Sequence, residues 1–159
     1  MATESFRRIL EILERHGVEY VVVGGVAAVL QGAPLTTFDI DTLVKLDRDN
    51  VARLGQALEA LNARYREHSS LRPTQADLAA GGHLLLMTDA GPLDVLGFIG
   101  GGKRYEDVAA TSDRMTVGAL TIRVLSLEAL VTEKKTLGRD KDLVAARLLE
   151  KLLKERDKH

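Results

Sequence analysis

Asp39 and Asp41 stand one residue apart in the run Phe38 to Lys45 (FDIDTLVK), where Phe38, Ile40 and Thr42 alternate with Asp39, Asp41 and Leu43. Such alternation predicts a strand, and residues i and i+2 of a strand project from one face. Two carboxylates placed that way can share a divalent ion, because hard oxygen donors suit Mg²⁺. Asp94, inside the apolar run Leu93 to Ile99, would bring a third carboxylate from a neighbouring strand. Phosphoryl transfer calls for such a cluster, in which one or two metal ions neutralise triphosphate charge and help to activate the attacking hydroxyl. Gly24-Gly25 fits the same chemistry. Glycines let backbone N–H groups come close to phosphates, and the start of the helix that follows favours negative charge.

Other motifs carry less. Gly97 to Arg104 (GFIGGGKR) imitates a phosphate-binding G-x-x-x-x-G-K loop, but Arg104 stands where Ser or Thr should meet Mg²⁺ and no long helix obviously follows. A strand exit is the better reading. His16, His68, His83 and His159 show no metal-ligand spacing. Tyr65 and Tyr105 read as packing residues. Lys134, Lys135, Arg139 and Lys141 form a basic segment that is either a phosphate or acceptor contact or a solvated helix face.

The elements that must position these residues follow from periodicity and punctuation. Phe6, Ile9, Leu10, Ile12 and Leu13 predict an amphipathic helix from Glu4 to His16, with Thr3 as its cap and Gly17 as its end. Glu19 to Val23 predicts a buried strand, and Val26 to Gln31 a short helix stopped near Gly32 and Pro34. Asp47 or Asp49 caps a helix from about Asn50 to Asn62. Residues 64–82 are polar and are expected to be mobile, with a helical turn near Gln75 to Ala79. His83–Met87 and Leu93–Ile99 predict a hairpin through Thr88 to Pro92, and Met115–Val117 with Leu120–Val124 a second one around Gly118-Ala119. Ser126 caps a helix to about Leu137, and Asp140 begins the last. The fold class is α/β (α+β), a short mixed sheet flanked by helices. At 159 residues the expectation is one domain, with a core of about 1–125 and a C-terminal helical segment of about 126–159.

Composition narrows the function classes. Aromatics make up 4% and the net charge is −1, which argues against a stacking platform for single strands and against broad adhesion to nucleic acid. No Cys is present, so disulfides, thiolate zinc sites and Cys nucleophiles are excluded. The charged N-terminus lacks a signal-peptide core, and no run of eighteen apolar residues occurs, which makes the cytoplasm the expected location and a membrane an unexpected partner.

The string Gly24-Gly25, thirteen residues, Asp39-Ile40-Asp41, then Leu93-Asp94-Val95 resembles the polymerase-β-type nucleotidyltransferase superfamily. The tail, E133-K134-K135-T136-L137-G138-R139-D140-K141-D142-L143, is similar to a signature of small bacterial proteins related to AbiEii toxin-type nucleotidyltransferases. The resemblance runs from Val21 to Leu149. It implies the nucleotidyltransferase fold and Mg²⁺-dependent transfer of a nucleotidyl group from an NTP to a hydroxyl on RNA or protein, in a toxin-antitoxin setting. It further implies that Gly24, Gly25 and Thr37 meet the nucleotide and that Asp39 and Asp41 bind metal. Asp94 would be a metal ligand or general base, while Lys134 and Arg139 offer cations and Asp142 positions Lys134. A cognate partner or a homo-oligomer would supply the acceptor site that so small a chain lacks. Leu35 departs from the branch, where Arg often stands four residues before the first Asp. That departure favours the alternative, a catalytically silent binding or antitoxin-like module. A nucleic-acid binder using residues 134–141 is a further reading.

Overall fold

The computed structural model describes residues 2–37 and 39–158, without the side chains of residues 2–5, so the Thr3 cap and the Phe38 end of the predicted strand lie outside the described residues. One mixed sheet holds seven strands in the order β3-β4-β5-β2-β1-β7-β6. In chain order they are β1 (Tyr20–Val23), β2 (Ile40–Val44), β3 (Arg64–Tyr65), β4 (His83–Thr88), β5 (Gly91–Leu96), β6 (Asp113–Val117) and β7 (Leu120–Val124). The helices are α1 (Ala2–Arg15), α2 (Gly24–Leu30), α3 (Arg48–Ala60), α4 (Gln75–Ala79), α5 (Tyr105–Val108), α6 (Leu127–Leu137) and α7 (Asp140–Asp157). Parallel pairing joins β2 to β5 and β1 to β7, and the other neighbours are antiparallel.

All four residues of β1 are buried, as a β-branched run bounded by glycines requires of a central strand. On β2 the alternation breaks down after Asp41, because Thr42, Leu43 and Val44 are all buried. Both faces of β2 are therefore covered except at the end that carries the aspartates. The α1 stripe of Ile9, Leu10, Ile12 and Leu13 is buried as its spacing predicts. The β4–β5 turn is tighter than expected. Thr88 donates its hydroxyl to the Gly91 carbonyl and accepts the Ala90 N–H, and Pro92 sits within β5. It is tolerated because the β2 ladder begins only at Leu93.

Two elements escaped the sequence reading: the two-residue edge strand β3 and the single-turn α5. The polar segment 64–82, which begins with β3, is not featureless either. Tyr65 and Leu71 are joined by a backbone hydrogen bond of 2.9 Å, the Tyr65 hydroxyl donates to Asp77, and Thr74 with Asp77 forms a capping box on α4.

Asn50 ties β1, β2 and α3 together. Fully buried, it accepts the Glu19 N–H at 2.7 Å and donates its amide to the Glu19 and Lys45 carbonyls. Truncation would remove all three hydrogen bonds, leaving the Glu19 carbonyl only the Lys45 N–H at 3.2 Å. Asn50→Ala is expected to lower the unfolding free energy by about 2–4 kcal/mol, read from urea denaturation midpoints. Among the described residues no helix is long and apolar enough to cross a membrane.

Candidate active site

Register decides whether Asp94 joins the other two aspartates. In the parallel β2–β5 pair Asp41 lies directly opposite Asp94, so both carboxylates leave the same face of adjoining strands, and Asp39 precedes Asp41 by two residues. The buried Thr42 donates its hydroxyl to the Asp94 carbonyl at 3.0 Å, which pins this register. A slip of one residue would send Asp94 to the opposite face. On its other side Asp41 pairs with Val23, the last residue of β1, and so meets the glycine turn.

Gly24 opens α2 with φ = +66°, and a Cβ there would collide with Asp41 Oδ2. Gly25 is equally cramped, since its Cβ would fall 2.7 Å from Thr37 Oγ1. The turn is thus shaped around an acid on one side and a hydroxyl on the other. Thr37 in turn donates to the Asp39 carbonyl at 3.2 Å. Burial chiefly, then the hydrogen-bonding contact with Asp94 and the charges of Asp94 and Asp39, pushes the Asp41 carboxyl up to about 8. Lys134 works in the opposite direction. A carboxyl so unfavourably placed calls for a cation beside it.

Lys134 is the cation that bears on Asp41, whereas Asp94 and Asp39 are met by Arg66. Its Nη2 donates to Asp94 Oδ1 at 2.7 Å and to the Leu86 carbonyl at 2.9 Å, and Nη1 lies 3.7 Å from Asp39 Oδ2. Sequence reasoning missed this residue, which sits in a stretch without periodicity. Three carboxylates make a donor set suited to Mg²⁺, with glycine leaving room at Asp41. Among the described residues, however, no three acidic or imidazole side chains converge closely enough to hold an ion. Arg66 occupies the position between Asp94 and Asp39 instead.

The C-terminal cations are arranged differently from the expectation. Asp142, 2% exposed, is engaged mainly by Arg139, through contacts of 2.6 and 3.4 Å, while Lys134 Nζ lies 3.8 Å away. Lys135 pairs with Glu150 at 2.8 Å. Three cations of the segment thus face acids of α7, which weakens the reading of a free nucleic-acid-binding patch. Only Lys134 also bears on Asp41. Hydrogen bonds from Arg139 hold Asp142 below its ordinary 3.8. A depressed carboxylate stabilises the fold at pH values above its unfolded pKa and loses that contribution as pH falls through its folded one. Asp142→Asn is therefore expected to flatten the acid limb of the stability profile below about pH 4, monitored by thermal unfolding.

The Gly97–Arg104 loop is a strand exit. Its 3₁₀ turn, Gly100–Gly102, leans on α6, where the Gly100 N–H donates to Glu133 Oε1 at 3.3 Å, and Lys103 is exposed. Only the four-residue α5 follows.

A seven-stranded mixed sheet that sets three aspartates on and beside adjoining strands, next to a glycine-opened helix, has the architecture of a nucleotidyltransferase. The sequence profile of aminoglycoside-2''-adenylyltransferases matches residues 5–146, and the chain belongs to that family. It is accordingly an enzyme of the nucleotidyltransferase superfamily, whose members move a nucleotidyl group from an NTP to a hydroxyl. The match places the chain with antibiotic adenylyltransferases and gives no support to the toxin-type branch. A comparison with curated proteins yields no match.

Solved structures agree on the fold. The antibiotic-resistance factor ANT(2'')-Ia is 16% identical, with 96% of this chain and 86% of that one covered and a TM-score of 0.63. The lincosamide antibiotic adenylyltransferase LnuA, solved with lincomycin bound, is 17% identical over 93% and 96%, at 0.62. A protein of Thermotoga maritima described as a nucleotidyltransferase is 22% identical over 94% and 91%, at 0.58.

Proposed function

We propose that this enzyme transfers a nucleotidyl group from an Mg²⁺-bound NTP to a hydroxyl of a small molecule, with Asp39, Asp41 and Asp94 as the reacting cluster. The observation that carries the reading is the in-register pairing of Asp41 with Asp94 beside Gly24. Magnesium bound by these carboxylates would neutralise triphosphate charge and favour the ionised form of the attacking hydroxyl. Asp39 and Asp41 would hold the nucleotide's metal, and Asp94 would complete its ligands and face the acceptor hydroxyl, whose proton it can accept. The Gly24 and Gly25 backbone, closed over by Thr37, approaches the phosphates without side chains in the way. Lys134, already close enough to bear on Asp41, lends positive charge as pyrophosphate leaves. Arg139 acts through Asp142 rather than on the nucleotide. The reaction belongs in the cytoplasm, where NTPs are made and used.

A small-molecule acceptor is favoured because the antibiotic-modifying relatives share this fold over almost the whole chain. An RNA or protein hydroxyl, which the tail's resemblance suggests, is the competing outcome. Incubation with α-labelled NTPs, Mg²⁺ and either aminoglycoside and lincosamide panels or total cell RNA and protein separates the two. The expected result is label on a small molecule, lost in the Asp39→Ala, Asp41→Ala double variant. Label on a macromolecule would replace the acceptor, and failure to bind any Mg²⁺–NTP would sink the enzyme's proposed site.

A further inference from the structure

Arg66 balances the aspartate cluster while no substrate is bound. Its guanidinium competes with a metal ion for the charge of Asp94, because Nη2 already donates to Oδ1 at 2.7 Å. The same Nη2 is anchored to the Leu86 carbonyl of β4, and Nη1 reaches toward Asp39 from 3.7 Å. Yet the pose is incomplete, since Arg66 Nε is buried without an acceptor, one of two such side-chain atoms among the described residues. A planar fork with one desolvated N–H unpaired is held by the acids it neutralises more than by its own surroundings.

On the strength of the proposed site, we infer that Arg66 is a resident counter-cation that incoming Mg²⁺–NTP displaces from Asp94, so that metal binding without nucleotide is weak. The triphosphate resolves the competition by offering the released guanidinium a multivalent anion nearby. Arg66 thus supplies, from the loop after β3, a cation at a site where the sequence offers Leu35 upstream of the first aspartate. Metal affinity is lowered by the fraction of molecules in which Arg66 has let go.

Mn²⁺ binding without nucleotide, followed by calorimetry, tests this on the full chain. Arg66→Met is expected to tighten the Mn²⁺ dissociation constant by about tenfold, corresponding to a released state populated in roughly one molecule in ten. Arg64→Met, which removes an equal charge from the pair with Asp89, should leave it unchanged. Equal or weaker Mn²⁺ binding in Arg66→Met overturns the inference, as does equal tightening in Arg64→Met. Should Arg66→Met fail to fold, Arg66→Lys, which keeps the charge but loses the fork, is expected to tighten binding by a few fold, and unchanged affinity there overturns the idea. These outcomes differ from failure of the site itself, in which neither wild type nor variant binds Mn²⁺ or Mg²⁺–NTP.

Discussion

Gly24→Ala is expected to abolish nucleotidyl transfer while leaving a folded protein. The new methyl would meet the Asp41 carboxylate, so that either the acid or the turn must move. An L-residue at φ = +66° adds a backbone cost of about 1–2 kcal/mol. Together these should lower the unfolding free energy by about 1–3 kcal/mol, well within what a domain survives. Displacing a group of the proposed metal site by even an ångström has a far larger effect on rate. The measurement is Mg²⁺-dependent turnover beside a urea unfolding curve. Wild-type turnover in a folded Gly24→Ala protein would show that the Asp41 carboxylate is not at the reacting centre.

Asp41→Asn is expected to separate activity from stability in the opposite sense. In the proposed site the amide removes one metal-binding charge, which should reduce kcat by about 10³-fold, or about 4 kcal/mol of transition-state stabilisation. Without metal the same change should stabilise the fold at neutral pH. With its carboxyl raised to about 8 by burial and by Asp94 and Asp39, the folded chain keeps a proton that the unfolded chain releases above the ordinary 3.8. Stability from this group therefore declines as pH rises between those values, and an amide removes the dependence. A thermal midpoint for Asp41→Asn at or below wild type in Mg²⁺-free buffer at pH 7 would contradict this account. Active-site residues that oppose folding are a common cost of function.

The expectation for Asp39, Asp41 and the glycines could be read from the chain because it rests on local rules, alternation on a strand and a turn between strand and helix. Position beside one another follows once β1 and β2 pair. Asp94 was readable as a candidate but not as a neighbour, because its face depends on pairing with a strand fifty residues earlier. Arg66 was not readable at all. It lies in a polar stretch where no period exists, and its closeness to Asp94 arises through the two-residue β3, too short to leave a pattern. An arginine next to an edge strand of the sheet that bears the acids is the one signal that was there to use. Asn50 was passed over for a similar reason, since a polar residue in a helical pattern looks solvated until its three backbone partners are assembled. In the tail, the Lys134, Arg139 and Asp142 grouping was legible, but Asp142 is shared in favour of Arg139 because spacing of three along the start of α7 brings those two together first.

The parallel register of β2 with β5 also has a kinetic meaning. The Thr42 to Asp94 hydrogen bond closes 52 residues of chain, whereas the β4–β5 hairpin closes two. Contacts of such separation form late, after the loop between them has been ordered. The hairpin bearing Asp94, with Arg66 anchored to it, can therefore assemble before it docks on the strand bearing Asp41. In the proposed site, competence to bind metal then arises only in the final docking step, and a refolding time course followed by Mn²⁺ capture is expected to lag one followed by hairpin protection from hydrogen exchange.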